Sequence, residues 1–313
     1  MTEHDVETGR RWDGGLLDLD AYLARIGHTG DLSPTAETLR ALHRAHVLAV
    51  PFENLEIVLG RPVPLDLPAL QDKLVRRARG GYCFEHARIF AAALERLGFG
   101  VTGLSSRVGM GSDRLRPATH AVLRVETAET PDTGRVWICD VGFGSSPLEP
   151  IEFADGAGTT DGGRSFRLER RTVRLGTTLA AEEWTLRERR APVDGDLRGG
   201  DGDGWLDLHT FTPNPQYAVD WVVGNHHVST HPRSPFVRRP VVQRTGPGVH
   251  QALYGATWVT TVLADGSRRV RELEPHEGPK VLEDVFGIVL DADDAAAFAA
   301  ALERLPRAPE AKD

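Results

Sequence analysis

Apolar residues recur every three or four positions through most of the first hundred residues, which is the spacing of amphipathic helices. The pattern covers residues 16–26, 39–47, 69–79 and 83–97. Thr35 offers an N-terminal cap for the second of these helices, and Gly98 offers a stop for the last. We therefore predict a helical unit over residues 1–100, with a loose tail at residues 1–15. In the last helix, Arg88, Glu95 and Arg96 are predicted to face away from the apolar side.

From residue 101 the pattern changes to short alternating runs that are separated by turn residues, which is typical of strands. The candidates are residues 101–108, 119–126, 135–141, 165–168 and 184–187. Residues 189–204 read as a long exposed loop and 211–236 as an irregular stretch. Three more strands and an alanine-rich helix are predicted at residues 237–244, 256–263, 267–272 and 291–305.

These patterns together predict an α+β protein built from three units. The first is an N-terminal helical bundle over residues 1–100. The second is an antiparallel sheet or barrel over residues 101–210. The third is a mixed α/β unit over residues 211–313.

Composition narrows the function classes. The net charge of −8 argues against a general nucleic-acid binder, which would carry a basic face. No run approaches the roughly 18 apolar residues that span a bilayer, and the polar N-terminus lacks a signal-peptide core. Two cysteines make no disulfide framework, so a reduced cytoplasm is expected, without nucleic-acid or membrane partners.

One of the two cysteines lies where a nucleophile would be expected. Cys83 follows the pair Gly80-Gly81 and begins an apolar-periodic helix. The unpaired N–H groups and the positive end of the helix dipole favour a thiolate there, and the thiolate is the reactive form. By position alone, a buried structural thiol is about equally plausible.

A cysteine nucleophile needs a base, and the base needs a partner that fixes its tautomer. His120 begins one predicted strand, and Asp140 ends the apolar run of the next. A carboxylate that closes a buried strand must be paired, and an imidazolium is a natural partner. Cys139 reads as core packing. His226, His227 and His231 lack the spacing of a zinc site, so no metal is predicted.

Three segments carry a resemblance to a known family. They are Arg79-Gly80-Gly81-Tyr82-Cys83-Phe84-Glu85, Thr119-His120, and Asp140-Val141-Gly142-Phe143-Gly144. Together with Pro51-Phe52-Glu53-Asn54 and the stretch from Phe211 to Phe236, they make the chain resemble the arylamine N-acetyltransferases. The resemblance implies a cysteine-protease-like core, with a central antiparallel β-barrel and a C-terminal α/β lid that covers the junction of the other two units. It also implies a Cys83-His120-Asp140 triad and ping-pong transfer from acetyl-CoA to an arylamine, arylhydroxylamine or hydrazine.

The resemblance also suggests supporting residues. Phe52 and Phe143 would line an apolar slot for the aromatic amine, and the backbone N–H of Cys83 would stabilise the oxyanion. Thr119, Thr230 and Phe236 are candidate contacts of coenzyme A. Arg79, Glu85 and Glu53 would form a supporting network of ion pairs rather than perform chemistry.

Two features keep other functions open. Ala87 stands where the family often has asparagine, and the loop at residues 189–204 is enlarged. An amide synthase of the same fold, which takes an acyl chain from a carrier protein, is the main alternative. A thiol hydrolase or transglutaminase-like enzyme with Cys-His-Asp geometry is a second. A binding module without catalysis is the least favoured, since it needs no such triad.

Overall fold

The computed structural model describes residues 12–112, 114–189 and 204–305. The predicted loop at 189–204 therefore lies almost wholly outside the described residues. In the N-terminal part, the helices are α1 (Leu19–Ile26), α2 (Ala36–Ala49), α3 (Leu55–Val58), α4 (Leu67–Leu70), which continues as a π-helical turn at Gln71–Arg76, and α5 (Cys83–Arg96). Thr35 caps α2 as predicted, because its side chain accepts a hydrogen bond from the Thr38 N–H.

The segment before α1 is not a loose tail where it is described. Trp12 is buried, its indole N–H donates to the Val101 carbonyl, and its backbone N–H donates to Glu95. Arg88 is also buried, because its guanidinium donates to the Trp12 carbonyl and pairs with Asp13. Arg88 and Glu95 thus lie on the side of α5 away from its apolar stripe, as predicted, but that side is covered by protein. The N-terminal segment covers that side of α5.

The central unit is one antiparallel sheet of eight strands in the order β5-β4-β3-β2-β9-β8-β7-β6. Its edge strands β5 and β6 approach each other, so the sheet forms a nearly closed barrel. The strands are β2 (Gly100–Val108), β3 (His120–Glu126), β4 (Val136–Cys139), β5 (Ile151–Glu152), β6 (Gly158–Asp161), β7 (Arg164–Arg174), β8 (Ala180–Arg189) and β9 (Trp205–Phe211). A short helix α6 (Thr130–Thr133) joins β3 to β4.

The C-terminal part contains a five-stranded antiparallel sheet in the order β1-β10-β11-β12-β13. Its edge strand β1 (Phe52–Glu53) comes from the N-terminal part of the chain and pairs with β10. The other strands are β10 (Val241–Gly246), β11 (Val249–Tyr254), β12 (Thr257–Val262) and β13 (Arg268–Glu272). A separate apolar core lies between this sheet and the last helices.

The stretch at residues 211–236 is not irregular as predicted. It contains the regular helix α7 (Ala218–Thr230), which is followed by α8 (Pro235–Arg238). The chain then ends in α9 (Gly278–Val281), a π-helical turn (Leu282–Phe286) and α10 (Ala292–Glu303). The predicted α+β class, with N-terminal helices, a central barrel and a C-terminal sheet, is confirmed. Across residues 12–112, 114–189 and 204–305, no helix is both long and apolar enough to cross a membrane.

Candidate active site

The loop before α5 holds Cys83 at the first position of the helix. Residues 80 and 81 must be small, because the loop packs directly against the Pro51 backbone at the first position and against the Glu85 side chain at the second. A Cβ atom on Gly80 would lie 2.0 Å from the Pro51 carbonyl oxygen. Gly81 forms a bridge with Phe52, in which the Glu53 N–H donates to the Gly81 carbonyl at 2.7 Å. The glycine pair therefore serves close packing that fixes where α5 begins.

Buried charges stabilise this loop from one side. Lys73 Nζ donates to Glu85 Oε1 at 2.7 Å, and Arg79 donates to Glu53 Oε1 at 2.9 Å. The second Glu85 oxygen accepts the Tyr82 N–H at 3.0 Å, which caps the start of α5. Burial raises the pKa of Glu85 to about 7, although Lys73 opposes the rise. The ion pairs predicted among Arg79, Glu85 and Glu53 are thus present, with Lys73 as a member that the sequence did not suggest.

His120 and Asp140 meet at one end of the barrel. Strands β3 and β4 are antiparallel neighbours with Leu123 opposite Cys139. The same register places Asp140 opposite Val122, so its side chain lies diagonally across from that of His120 on the same face. His120 Nε2 donates to Asp140 Oδ2 at 2.9 Å, and both side chains are buried. The Asp140 Oδ1 atom accepts the Gly142 N–H at 3.3 Å. The carboxylate thus has a partner on each oxygen.

Electrostatics make this a charged pair. Burial alone would lower the pKa of His120, but the charge and hydrogen bond of Asp140 outweigh it. With smaller contributions from a hydrogen bond and the charge of Cys83, they raise the pKa of His120 to about 10. Burial raises the pKa of Asp140, whereas the two histidines that it contacts hold the net value well below the usual range. His120 is therefore an imidazolium at neutral pH.

Cys83 lies against the same strand end. Its Sγ lies 3.7 Å from the carbonyl oxygen of Thr119, the residue before His120. Because the Nε2 atom of His120 is bonded to Asp140, its Nδ1 atom is the one left for the thiol. The start of α5 can approach the loop after β4 this closely only because residue 142 is glycine, since a Cβ there would lie 2.7 Å from the Cys83 Cα. The structure thus brings together the three residues that the sequence singled out.

His209 is a member of the site that sequence reasoning missed. It lies on β9, is fully buried, and its Nε2 donates to the same Asp140 Oδ2 at 3.0 Å. Burial lowers the pKa of His209, so the ring is a neutral donor. Its Nδ1 atom finds no hydrogen-bond partner among the described residues. A sequence signal existed in the alternation of Leu206, Leu208 and Thr210, which predicts a strand with His209 on its other face.

His120, Asp140 and His209 also form a group whose ligand atoms lie within 4.8 Å of one another, as a metal site would require. One carboxylate oxygen, Asp140 Oδ2, accepts both imidazole N–H groups, and that arrangement accounts for the cluster without an ion. The histidines 226, 227 and 231 lie on or just after α7, where the rings of His227 and His231 stack 4.5 Å apart. Cys139 is buried in the core and burial raises its pKa, in keeping with a packing role.

A cavity of about 420 Å³ opens between the barrel and α7. It lies beside the nucleophile, because Phe84 and Thr119 are part of its wall. Much of the remaining wall is polar and comes from the segment between β9 and α7. The polar and charged side chains are Ser105, Thr212, Asn214, Gln216, Asp220 and His227.

The other predicted binding residues lie in different surroundings. The Phe143 ring packs edge-to-face against His120, with 5.2 Å between ring centroids. Phe52 is buried, packs 5.8 Å from Phe236, and borders a smaller internal cavity together with His86. The Thr230 hydroxyl donates to the His226 carbonyl within α7. Of the five predicted binding residues, Thr119 is the one that lines the large cavity.

Comparison with known proteins gives the fold and site a family. A profile described as N-acetyltransferase matches residues 35–295. A crystal structure of Nocardia farcinica arylamine N-acetyltransferase is 52% identical and covers 95% of this chain and 99% of its own, with a TM-score of 0.84. The Mycobacterium tuberculosis arylamine N-acetyltransferase is 33% identical over 296 residues, which are 92% of this chain and 96% of the relative.

The chain belongs to the arylamine N-acetyltransferase family. It is an acyltransferase, and the arylamine N-acetyltransferase activity implied by the resemblance is thereby confirmed. The family also includes a structure described as Mycobacterium marinum arylamine N-acetyltransferase in complex with CoA. That protein is 31% identical, with a TM-score of 0.77 over 91% of this chain and 98% of its own.

Proposed function

We propose that Cys83 is the nucleophile of this arylamine N-acetyltransferase, with His120 as the proton carrier and Asp140 as its orienting partner. The donor is acetyl-CoA, and the acceptor is an arylamine, an arylhydroxylamine or a hydrazine. The observation that carries the proposal is the hydrogen bond of 2.9 Å between His120 Nε2 and Asp140 Oδ2, which lies beside the sulfur of Cys83. This hydrogen bond occupies Nε2 and leaves Nδ1 of the same ring to exchange a proton at the Cys83 sulfur.

In the first half-reaction, the His120 imidazolium already holds the proton of the Cys83 thiol on Nδ1, so that the sulfur reacts as the thiolate of an ion pair. The thiolate attacks the carbonyl carbon of the acetyl thioester, and the resulting oxyanion needs a donor. The backbone N–H of Cys83 is available because the first N–H groups of a helix have no intrahelical partner. The bond from carbon to the CoA sulfur then breaks, and the leaving thiolate takes the proton from His120. Acetyl-Cys83 and CoA are the products.

In the second half-reaction, the amine nitrogen attacks the carbonyl of acetyl-Cys83 and passes a proton to His120. The bond to the Cys83 sulfur breaks, the thiolate stays paired with the His120 imidazolium that now holds that proton, and the acetylated amine leaves. Asp140 stabilises the imidazolium in both steps, since its carboxylate stays ionised between two imidazole donors. No second base is needed, because one ring carries the proton in each direction.

The polar cavity beside Thr119 suits the donor. A thioester that enters between the barrel and α7 would reach Cys83 past Phe84. The amide groups in the chain of CoA that carries the thioester would then lie near Asn214 and Gln216. The CoA complex described for the Mycobacterium marinum relative supports this kind of donor. Phe143, which packs on His120, is placed to contact the ring of an aromatic acceptor. Thr230 and Phe236 remain predicted CoA contacts.

The test is covalent labelling. Incubation with acetyl-CoA alone should leave one acetyl group on the protein, and peptide mapping should place it on Cys83. Cys83→Ala should carry no label and show no turnover with a simple aniline, whereas Cys139→Ser, the other thiol, should be labelled normally. A label elsewhere, or turnover by Cys83→Ala, would refute the proposal. Labelling by an acyl carrier thioester but never by acetyl-CoA would indicate the amide synthase instead.

A further inference from the structure

A buried chain of hydrogen bonds runs from α1 through α2 to α5 and ends on the loop that presents Cys83. Tyr22 Oη lies 2.7 Å from His46 Nδ1, and His46 Nε2 lies 2.8 Å from His86 Nδ1. His86 Nε2 lies 3.0 Å from the carbonyl oxygen of Gly81 and 3.3 Å from that of Pro51. All three side chains are at most 1% exposed. None of them belongs to the triad.

The direction of the chain follows from its last members. Carbonyl oxygens only accept hydrogen bonds, so His86 Nε2 must carry a proton. Burial lowers the pKa of His86 to about 4 and that of His46 well below its ordinary value, so both rings are neutral at pH 7. His86 Nδ1 is then an acceptor, His46 Nε2 must donate to it, and Tyr22 must donate to His46 Nδ1. A single arrangement of protons satisfies every atom.

The chain ends at a backbone position that matters for the nucleophile. The Gly81 carbonyl accepts from His86 and also from the Glu53 N–H, so both of its lone pairs are used. The Gly81 N–H donates to the Pro51 carbonyl at 3.2 Å. Cys83 follows two residues later. The charged network of Lys73 and Glu85 fixes the Tyr82 N–H on the other side of the same loop.

We propose that Tyr22, His46 and His86 are positioning residues for Cys83, which act through the Gly81 carbonyl and hold the start of α5 at the distance that His120 requires. The proposal rests on the proposed role of Cys83 as nucleophile. A misplacement of about 1 Å between reacting groups can cost on the order of a hundredfold in rate. A directional chain that admits one proton arrangement is suited to prevent such a shift.

The first experiment reads the chain directly. In protein labelled with ¹⁵N-histidine at pH 7, the ring nitrogen shifts of His46 and His86 report which nitrogen carries the proton. We expect the Nε2–H tautomer for both. An Nδ1–H tautomer, or a charged ring, at either residue would overturn the proposal whatever the activity of the enzyme.

The second experiment measures acetylation of Cys83 by acetyl-CoA in a single turnover. Tyr22→Phe removes one remote hydroxyl and should slow acetylation about three- to tenfold, with the KM for acetyl-CoA within about twofold of the original. Ile26→Val is the control, because it removes one buried methyl group from the same helix without touching the chain. Ile26→Val should acetylate Cys83 at the original rate, although it should lose about as much thermal stability as Tyr22→Phe.

Substitutions at His86 complete the test. Gln places a side-chain N–H near the position of Nε2, so His86→Gln should retain more activity than His86→Leu, which should lose about tenfold or more. Equal rates in these two variants, or an unchanged rate in folded Tyr22→Phe, would overturn the positioning role. If Cys83→Ala were active, the proposed function itself would have failed. If Cys83→Ala were inactive and Tyr22→Phe acetylated at the original rate, only the positioning role of the hydrogen-bonded chain would be refuted, and the proposed function would stand.

Discussion

Replacement of Asp140 by Asn tests the electrostatic basis of the site. The substitution keeps the shape but removes the charge, and places an amide where Oδ2 now accepts from both His120 and His209. The rise in the pKa of His120 from 6.5 to about 10 corresponds to about 5 kcal/mol in favour of the imidazolium. Without that charge, burial dominates and should bring the pKa of His120 to 6.5 or lower. The ring would then be neutral at pH 7.5.

The rate of Cys83 acetylation should therefore fall by about two to four orders of magnitude, which is about what proton transfer by a positioned side chain contributes. The assay is single-turnover formation of acetyl-Cys83 at pH 7.5, together with NMR titration of His120. Cys139→Ser is the matched control, because the residue is adjacent and buried but points to the core. If Asp140→Asn acetylated within tenfold of the original enzyme, or His120 still titrated near pH 10, the reasoning would be wrong.

The same pair also makes stability depend on pH. Because the pKa of His120 is raised in the folded state, its contribution is fully present below pH 6.5 and is lost as pH rises through about 10. Asp140→Asn lacks this contribution. The free energy of unfolding of the variant should therefore fall less steeply between pH 7 and pH 10 than that of the original protein.

Two further predictions concern buried groups. Burial lowers the pKa of His43 to about 4, so the unfolded state takes up protons first and stability falls below pH 6.5, by about 2 kcal/mol for this residue at pH 5. In denaturant titrations, His43→Phe should reduce the stability lost between pH 7.5 and pH 5 by that amount; an unchanged loss would contradict the assignment. Gly142→Ala should slow acetylation about tenfold to a hundredfold, because its Cβ would lie 2.7 Å from the Cys83 Cα. Gly176→Ala, where a Cβ meets nothing within 4 Å, should be neutral, and equal rates in the two variants would refute the steric argument.

The parts of the site that local sequence signals encode could be predicted. Cys83 at a helix start, His120 at a strand start and Asp140 at a strand end each depend on short-range patterns of capping and hydrophobicity. Their meeting then follows from one antiparallel pair, β3 with β4, and one helix packed on it. The family resemblance supplied the order of these segments, which the local patterns alone would have left undecided.

The parts that depend on distant pairing could not be read from the sequence. His209 reaches Asp140 because β9 pairs with the distant strand β2 as well as with its sequence neighbour β8, and this long-range pairing is set by tertiary packing. The burial of Arg88 depends on Trp12, more than seventy residues away in the sequence. Helix α7 was missed because three valines, Val219, Val222 and Val223, lie on its exposed face, so its apolar positions do not mark a buried side.

The precise position of the Cys83 sulfur therefore depends on two kinds of constraint. Close contacts at Gly80 and Gly142 set how near the helix start can come to Pro51 and to the barrel, and they act by steric exclusion. Hydrogen bonds at Gly81 and Tyr82 set the orientation of the loop, and they act by direction. Steric contacts alone would leave the loop free to rotate, and directional bonds alone would leave it free to move away. Since each constraint covers what the other permits, damage to either should slow acetylation without removing any group that touches the acetyl donor.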